Sequence, residues 1–268
     1  MFKDEKILVI DDEQVILDAV TRIASAEDIK VDSETNARKA LIMLSQKKYS
    51  LVLCDILMPE MDGFSVLEEI QKMKVKTPVI MITGFSTDEN AVKSLYKGAI
   101  DFIPKPFTFE EIKSAINRGL QFNRLHRKID EAKSGKQEEP IAHVPCPPKY
   151  YRLGNISWVH LGSEGIASLG VSDLFLETIE KLKSIKFMEK DAQLNQGESC
   201  ANFITDDELE HHFLSPISGR ILRVNERLLE DINLLEKDPY FEGWVYKLIP
   251  ADLEHDIKFL VPCASDRM

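Results

Sequence analysis

The sequence predicts an α/β fold, a doubly wound five-stranded parallel sheet, followed by a mainly β second domain. Three observations carry this expectation. Short apolar runs alternate with amphipathic ones five times over about the first 125 residues, the pattern of a parallel sheet covered on both faces. The stretch 131–149 (EAKSGKQEEPIAHVPCPPK) holds Pro140, Pro145, Pro147 and Pro148 and shows neither helical nor strand periodicity, as a linker does. Beyond it the residues 150–250 turn to short β-rich pieces separated by turn signals. A length of 268 residues suits two domains, each able to bury its own core. The expected boundaries are 1–130, 131–149 and 150–268.

Charge divides along the same line. Residues 1–149 carry 22 Lys and Arg against 24 Asp and Glu, 22 − 24 = −2, whereas 150–268 carry 12 against 21, 12 − 21 = −9. The 44% hydrophobic and 29% charged composition is that of a soluble globular protein. No apolar run approaches a membrane span, and the charged start MFKDEKILVIDDE is unlike a secretory signal. Cys54, Cys146, Cys200 and Cys263 are scattered without metal-ligand spacing, so neither a disulfide framework nor a zinc site is expected, and a cytoplasmic location is.

In the first half, 6–10 (KILVI), 50–54 (SLVLC), 78–82 (PVIMI) and 101–103 (DFI) read as strands, with 29–32 a weaker one. Their unbroken apolar character fits burial on both faces. Residues 13–25, 36–46, 63–72, 88–97 and 108 onward repeat apolar residues at helical spacing. Right-handed crossovers bring the strand C-termini to one edge, where ligands bind. There stand Asp11 and Asp12, Asp55, Thr83, and Lys105 followed by Pro106. Singly each has a plain reading: a helix cap, a β-branched strand residue, a surface lysine. Together, three carboxylates on one edge repel one another unless a hard cation such as Mg²⁺ lies among them. A lysine and a hydroxyl opposite suit a phosphoryl group.

This constellation resembles the receiver domain of two-component response regulators, a flavodoxin-like fold. The resemblance spans 5 to about 125 and includes Asp11-Asp12, the run from Asp55 through Pro59 to Gly63, Thr83-Gly84, and Phe102 ahead of Lys105-Pro106. It implies that Asp55 is the phosphoacceptor, taking a phosphoryl group from a sensor histidine kinase or a small phosphodonor. It implies that Asp12, Asp55 and the backbone carbonyl of Leu57 bind Mg²⁺, with Asp11 helping through water. Lys105 would pair with the phosphoryl oxygens after a cis peptide, and Thr83 and Phe102 would form the switch. A helical pattern continues to about residue 132, past the usual end of such a domain, with Phe122, Leu125 and Ile129 as a short heptad-like stripe. A solvated extension and a homodimer seam are both readings of it.

The second half shows strand-like pieces at 156–161, 213–214, 219–224 (GRILRV) and 244–249 (WVYKLI), a helical pattern at 171–182, and a polar helix near 251–258. No dinucleotide, Walker or nucleophile-elbow motif and no catalytic carboxylate pair stands out, so no enzyme is expected. The runs from Ser215-Pro216 through Glu226 and from Asp238-Pro239-Tyr240 through Val245 resemble the H protein of the glycine cleavage system, a lipoyl-type β-sandwich. The resemblance places the lipoyl-lysine position at Glu208, and no lysine occurs from Asp191 to Glu236. A carboxylate cannot form the amide that carries lipoate, so the carrier function does not transfer. The tip 205–212 instead carries Asp206, Asp207, Glu208, Glu210, His211 and His212: a solvated loop, a divalent-metal site, or a docking surface for a protein.

The function expected is that of a response regulator signalling through this domain to an unidentified downstream protein, with no nucleic-acid or membrane partner. A divergent DNA-binding transcriptional regulator is the alternative. The −9 charge and the lack of a helix-turn-helix pattern oppose it. A carrier using Cys200 is a third reading.

Overall fold

The computed structural model describes residues 5–84, 87–133, 144–162 and 164–264. Much of the proline-rich stretch, 134–143, lies outside them. The chain forms two compact units, Met1–Thr87 with Lys97–Glu139, and Asp88–Tyr96 with Pro140–Met268.

In the first unit β1 (Lys6–Ile10), β2 (Lys30–Glu34), β3 (Leu51–Asp55), β4 (Val79–Thr83) and β5 (Asp101–Pro104) form one parallel sheet of order β2-β1-β3-β4-β5. The helices are α1 (Gln14–Ala26), α2 (Ala37–Gln46), α3 (Gly63–Lys72) and α5 (Phe109–Lys133); α4 (Asp88–Tyr96) follows β4 in the chain. The central strands β3 and β4 are buried at every residue, because a parallel sheet is covered on both faces. Ile7, Val9, Leu53, Ile82 and Ile116 fill one side, and Leu8, Ile10, Val52, Met81 and Leu67 the other. Local chemistry starts the helices where the sequence says: Asn36 accepts from Lys39 N at 3.1 Å, and Asp62 accepts from Ser65 N at 2.7 Å. Thr108 and Glu111 cap α5 reciprocally, at 2.6 and 3.2 Å. The edge strand β2 starts one residue later and ends two residues later than its weak apolar signal suggests; its residues KVDSE are only half-buried or exposed, so periodicity there is faint.

α5 runs 25 residues, through the predicted extension. Its stripe is partly used within its own unit. Phe122 packs against the core, and Asp130 pairs with Lys76 at 2.6 Å.

The second unit holds β6 (Tyr151–Leu153), β7 (Ser157–Leu161), β8 (Ala167–Val171), α6 (Asp173–Leu176), β9 (Leu182–Phe187), β10 (Gln193–Leu194), β11 (Ser199–Thr205), β12 (Glu210–Leu214), β13 (Gly219–Val224), α7 (Arg227–Glu230), α8 (Leu234–Lys237), β14 (Trp244–Pro250), α9 (Leu253–Asp256) and β15 (Val261–Pro262). A seven-stranded sheet, β10-β13-β14-β8-β7-β6-β15, and a three-stranded sheet, β12-β11-β9, enclose Leu169, Phe203, Phe213, Ile221 and Tyr246. Every pairing is antiparallel. Gly170 sits opposite Trp158 in the β7–β8 ladder, and a Cβ there would lie 2.3 Å from the indole. Glycine is what lets that ring lie flat across the strand.

Two expectations are corrected here. The helical pattern at 171–182 resolves into the end of β8, a single turn capped by Ser172 (3.1 Å to Phe175 N), and the start of β9; β-branched Val171, Thr178 and Ile179 disfavour a longer helix. Cys146 and Cys263, 117 residues apart, form a disulfide with Cα atoms 5.6 Å apart. Spacing rules miss it because antiparallel pairing of β6 with β15 brings the two ends of the unit together. Among the described residues no helix is long and apolar enough to cross a membrane.

Candidate functional site

The C-terminal ends of β1, β3, β4 and β5 bring Asp11, Asp12, Asp55, Thr83 and Lys105 to one edge of the parallel sheet, with a ligand atom from each of the three carboxylates lying within 4.8 Å of the others. Asp11 and Asp55 are buried and Asp12 is exposed, so the cluster opens to solvent on one side. Lys105 Nζ reaches Asp11 Oδ2 at 2.7 Å, Asp55 Oδ1 at 3.2 Å and Glu13 Oε1 at 3.3 Å. The cap reading of Asp11 is corrected: its Oδ1 accepts from Glu13 N at 3.0 Å, but Glu13 is itself the N-cap of α1 and no side chain caps that helix.

Backbone contacts fix the loops. Ile56 N donates to Ile82 O at 3.0 Å, and Gly63 N donates to Ile56 O at 2.9 Å, closing the loop after β3. A Cβ on Gly63 would fall 2.1 Å from the Asp55 carbonyl oxygen, so no larger residue fits while Asp55 keeps its place. Lys105 N donates to Thr83 O at 2.7 Å, and the Lys105–Pro106 peptide is cis. Thr83 is fully buried at the end of β4, Phe102 is half-buried on β5, and Leu57 lies in the exposed part of the loop after Asp55.

Electrostatically the cluster is strained by burial. Desolvation pushes Asp55 up to about 6, opposed by Lys105 and reinforced by Asp11 and Asp12. Asp11 is likewise raised, chiefly by desolvation. Burial alone would lower Lys105, but Asp11 and Asp55 hold it above its usual value. Asp11 Oδ2 and Asp55 Oδ1 touch Lys105 yet accept no well-aligned hydrogen bond. Buried carboxylate oxygens in that condition, beside an exposed third carboxylate, are a donor set for a hard divalent cation.

The acidic tip behaves differently. β11 and β12 form a hairpin whose turn holds Glu208 at φ +63°. Glu208 pairs with Lys183 of β9, and Glu210 with Lys186 at 2.8 Å. His211 is buried, its Nε2 3.4 Å from Thr205 Oγ1, while His212 Nδ1 lies 2.9 Å from Asn202 Oδ1. Strand alternation sends the two imidazoles to opposite faces. Among the described residues Asp11, Asp12 and Asp55 are the group whose ligand atoms gather, and the metal reading of the tip is set aside. Sequence reasoning missed the lysines of β9; Lys183 and Lys186 stand three apart in LKSIKF, which gives no period-two strand signal, and the pairing with β11 is tertiary. Cys200 is buried with its thiol pushed up by desolvation, which removes the support for an attachment site there.

Family models match residues 7–117 as a response regulator receiver domain and 149–265 as a glycine cleavage H-protein. Regulatory protein AtoC of Escherichia coli (strain K12) is 33% identical over 124 residues, 46% of this chain and 27% of its own length. Transcriptional regulatory protein ZraR of Klebsiella oxytoca is 34% identical over 140 residues, 52% of this chain and 29% of its own. The chain thus spans under a third of these relatives. Among solved structures, a response regulator receiver domain protein from Clostridium thermocellum is 29% identical over 46% of this chain and 98% of its own, with a TM-score of 0.43. A glycine cleavage system H protein from Mycobacterium marinum is 22% identical over 40% of this chain and 87% of its own, with a TM-score of 0.37. The two matches divide this chain between them: it joins a response regulator receiver domain to a glycine cleavage H-protein domain.

Proposed function

We propose that this chain is a two-component response regulator phosphorylated on Asp55 in a Mg²⁺-dependent reaction, with domains at 1–130 and 150–268 joined by 131–149. The convergence of Asp11, Asp12, Asp55 and Lys105 within ion-pair reach is the observation that carries this reading. Asp12, Asp55 and the Leu57 carbonyl would hold the cation, with Asp11 acting through water; the cation would neutralise phosphoryl charge as it develops. An Asp55 carboxylate oxygen attacks phosphorus, and the leaving group departs with the electrons of its own bond to phosphorus. Lys105 then exchanges carboxylate contacts for phosphoryl oxygens. The new group adds roughly −1.5 to −2 charges and three acceptors, which Thr83 and Phe102 would read as the switch.

The second domain acts through protein contacts and carries no lipoate. Glu208 at the tip supports this, since a carboxylate already paired with Lys183 offers no amine for amide formation. The partners are a sensor histidine kinase and a downstream protein, in the cytoplasm, with homodimerisation through α5 a further element of the proposal. The −9 charge of 150–268 opposes a nucleic-acid partner.

Acetyl phosphate and Mg²⁺ should add one phosphoryl mass to the full chain, lost in base and in Asp55→Asn. An adduct that survives in Asp55→Asn overturns the assignment.

A further inference from the structure

The second unit carries a feature that phosphorylation chemistry does not use. Its two ends are joined at Cys146 and Cys263. Both sulfurs sit in a small cluster with Tyr150, Trp158 and Tyr240, separate from the main core, with Trp244 packed against it. Tyr150 is central. Its ring lies 5.0 Å from Trp158 and is stacked at 4.5 Å on His160, and its hydroxyl donates to Tyr240 O at 3.1 Å. Cys263 N donates to Tyr150 O at 2.9 Å. The outer side of these rings lines a cavity of about 180 Å³ that also takes in Trp244 and Lys247, the ammonium of Lys247 lying 4.8 Å over the indole. The disulfide is therefore the backing of an aromatic wall.

Three observations argue that this bond is made and broken and is no permanent staple. The unit has a large apolar core of its own, whereas folds that depend on disulfides are those that cannot build one. Cys263 follows β15, which has two residues, lies at the edge of its sheet and ends in Pro262, a residue with no N–H to donate. Short edge segments open locally at low cost, so the sulfurs become reachable without unfolding the sheet. Val144 N donates to Asp173 Oδ2 at 2.7 Å, which keeps Cys146 near Cys263 after reduction and favours reclosure. The other two cysteines, Cys54 and Cys200, are fully buried thiols that burial pushes well above the usual range, so they do not compete.

We propose that Cys146 and Cys263 form a reversible thiol–disulfide couple that clamps the Tyr150 aromatic wall of the second domain. The oxidant is a low-molecular-weight disulfide such as oxidised glutathione. The Cys146 thiolate, the more exposed of the two, attacks one sulfur of it and expels one glutathione thiolate. The Cys263 thiolate then attacks Cys146 Sγ in the mixed disulfide and expels the second. The protein loses two electrons and two protons, and the oxidant becomes two thiols.

The test equilibrates the full chain in reduced and oxidised glutathione at graded ratios, quenches with acid, alkylates and reads intact mass. Cys146 and Cys263 should leave the alkylated pool together in one two-electron step, with a loss of about 2 Da and with Cys54 and Cys200 still thiols in every buffer. Tryptophan emission should rise on reduction along the same curve, because Trp158 then loses a neighbouring disulfide quencher. Reduction should lower the melting temperature by at least about 5 °C, given the long loop the bond closes. Cys146→Ser and Cys263→Ser should abolish the two-electron step and the emission change. A disulfide that resists reduced glutathione in the native protein would overturn the proposal, as would separate glutathione adducts without the internal bond. Should either variant misfold, the wild-type titration alone decides.

Discussion

Asp55 is held where a charged carboxylate is disfavoured, and this has a measurable sign. Its folded value of about 6 lies above the ordinary 3.8, so the folded chain binds the proton more tightly than the unfolded one. Stability contributed by the protonated form is fully present below about pH 4 and is lost as pH rises through 6. In chelator, at pH 7.5, Asp55→Asn should therefore raise stability by about 1–3 kcal/mol, the upper figure being the shift at 1.36 kcal/mol per unit. At pH 4 the two proteins should melt together. Adding Mg²⁺ should raise the melting temperature of the wild type and leave that of Asp55→Asn almost unmoved. Calorimetry in the two buffers checks both outcomes, and equal melting at pH 7.5 would contradict the buried-charge account. Gly63 belongs to the same scale: its missing Cβ keeps the Asp55 carbonyl in place.

Between elements, the first unit relies on one internal ion pair that the strand and helix patterns do not announce. Arg118 of α5 reaches Asp101 at the start of β5, both largely buried. Desolvation lowers Arg118 to about 10, still charged at neutral pH. Removing the guanidinium leaves the Asp101 carboxylate buried without it, a loss of about 3–5 kcal/mol in comparable pairs. Arg118→Met should destabilise the full chain by about 3 kcal/mol in chemical denaturation, and Asp101→Asn added to it should recover part of that loss. The hairpin of β11 and β12 in the second unit is held by an exposed pair, which contributes much less. Its turn residue Glu208 is tied to β9 through Lys183, so three strands share the tip.

At the scale of the whole molecule, two domains with different chemistry share a chain, and only the first has a cluster of ligand atoms for a cation among the described residues. Offered lipoate ligase, ATP and lipoate, the full chain should keep its unmodified mass. The hairpin position is Glu208, and the nearest amine, Lys183, projects from a neighbouring strand. Lipoylation at Lys183 or elsewhere, read by intact mass and peptide mapping, would overturn the reading of this domain as a non-carrier.

Much of this was legible in the sequence because its signals are local. The parallel sheet follows from five apolar runs between helical patterns. The residues Asp11, Asp12, Asp55, Thr83 and Lys105 lie at strand ends, so a doubly wound topology alone brings them to one edge. The H-protein-like sandwich was legible from its SP and DPY runs and not from periodicity, since strands such as β9 and β12 are half-exposed and mix charged or imidazole side chains with few apolar ones. The tip's charge was visible, but its pairing with Lys183 and Lys186 was not, because register across strands depends on sheet formation. The Cys146–Cys263 bond was invisible for the same reason at greater range. Sequence by itself determined the fold of the first half, the gathering of Asp11, Asp12 and Asp55 at one sheet edge and the absence of lysine at the second domain's hairpin, all properties of residue type and local spacing. Tertiary structure alone decided which charges neutralise one another and which cysteines meet, because those depend on distances between segments that the chain order leaves open.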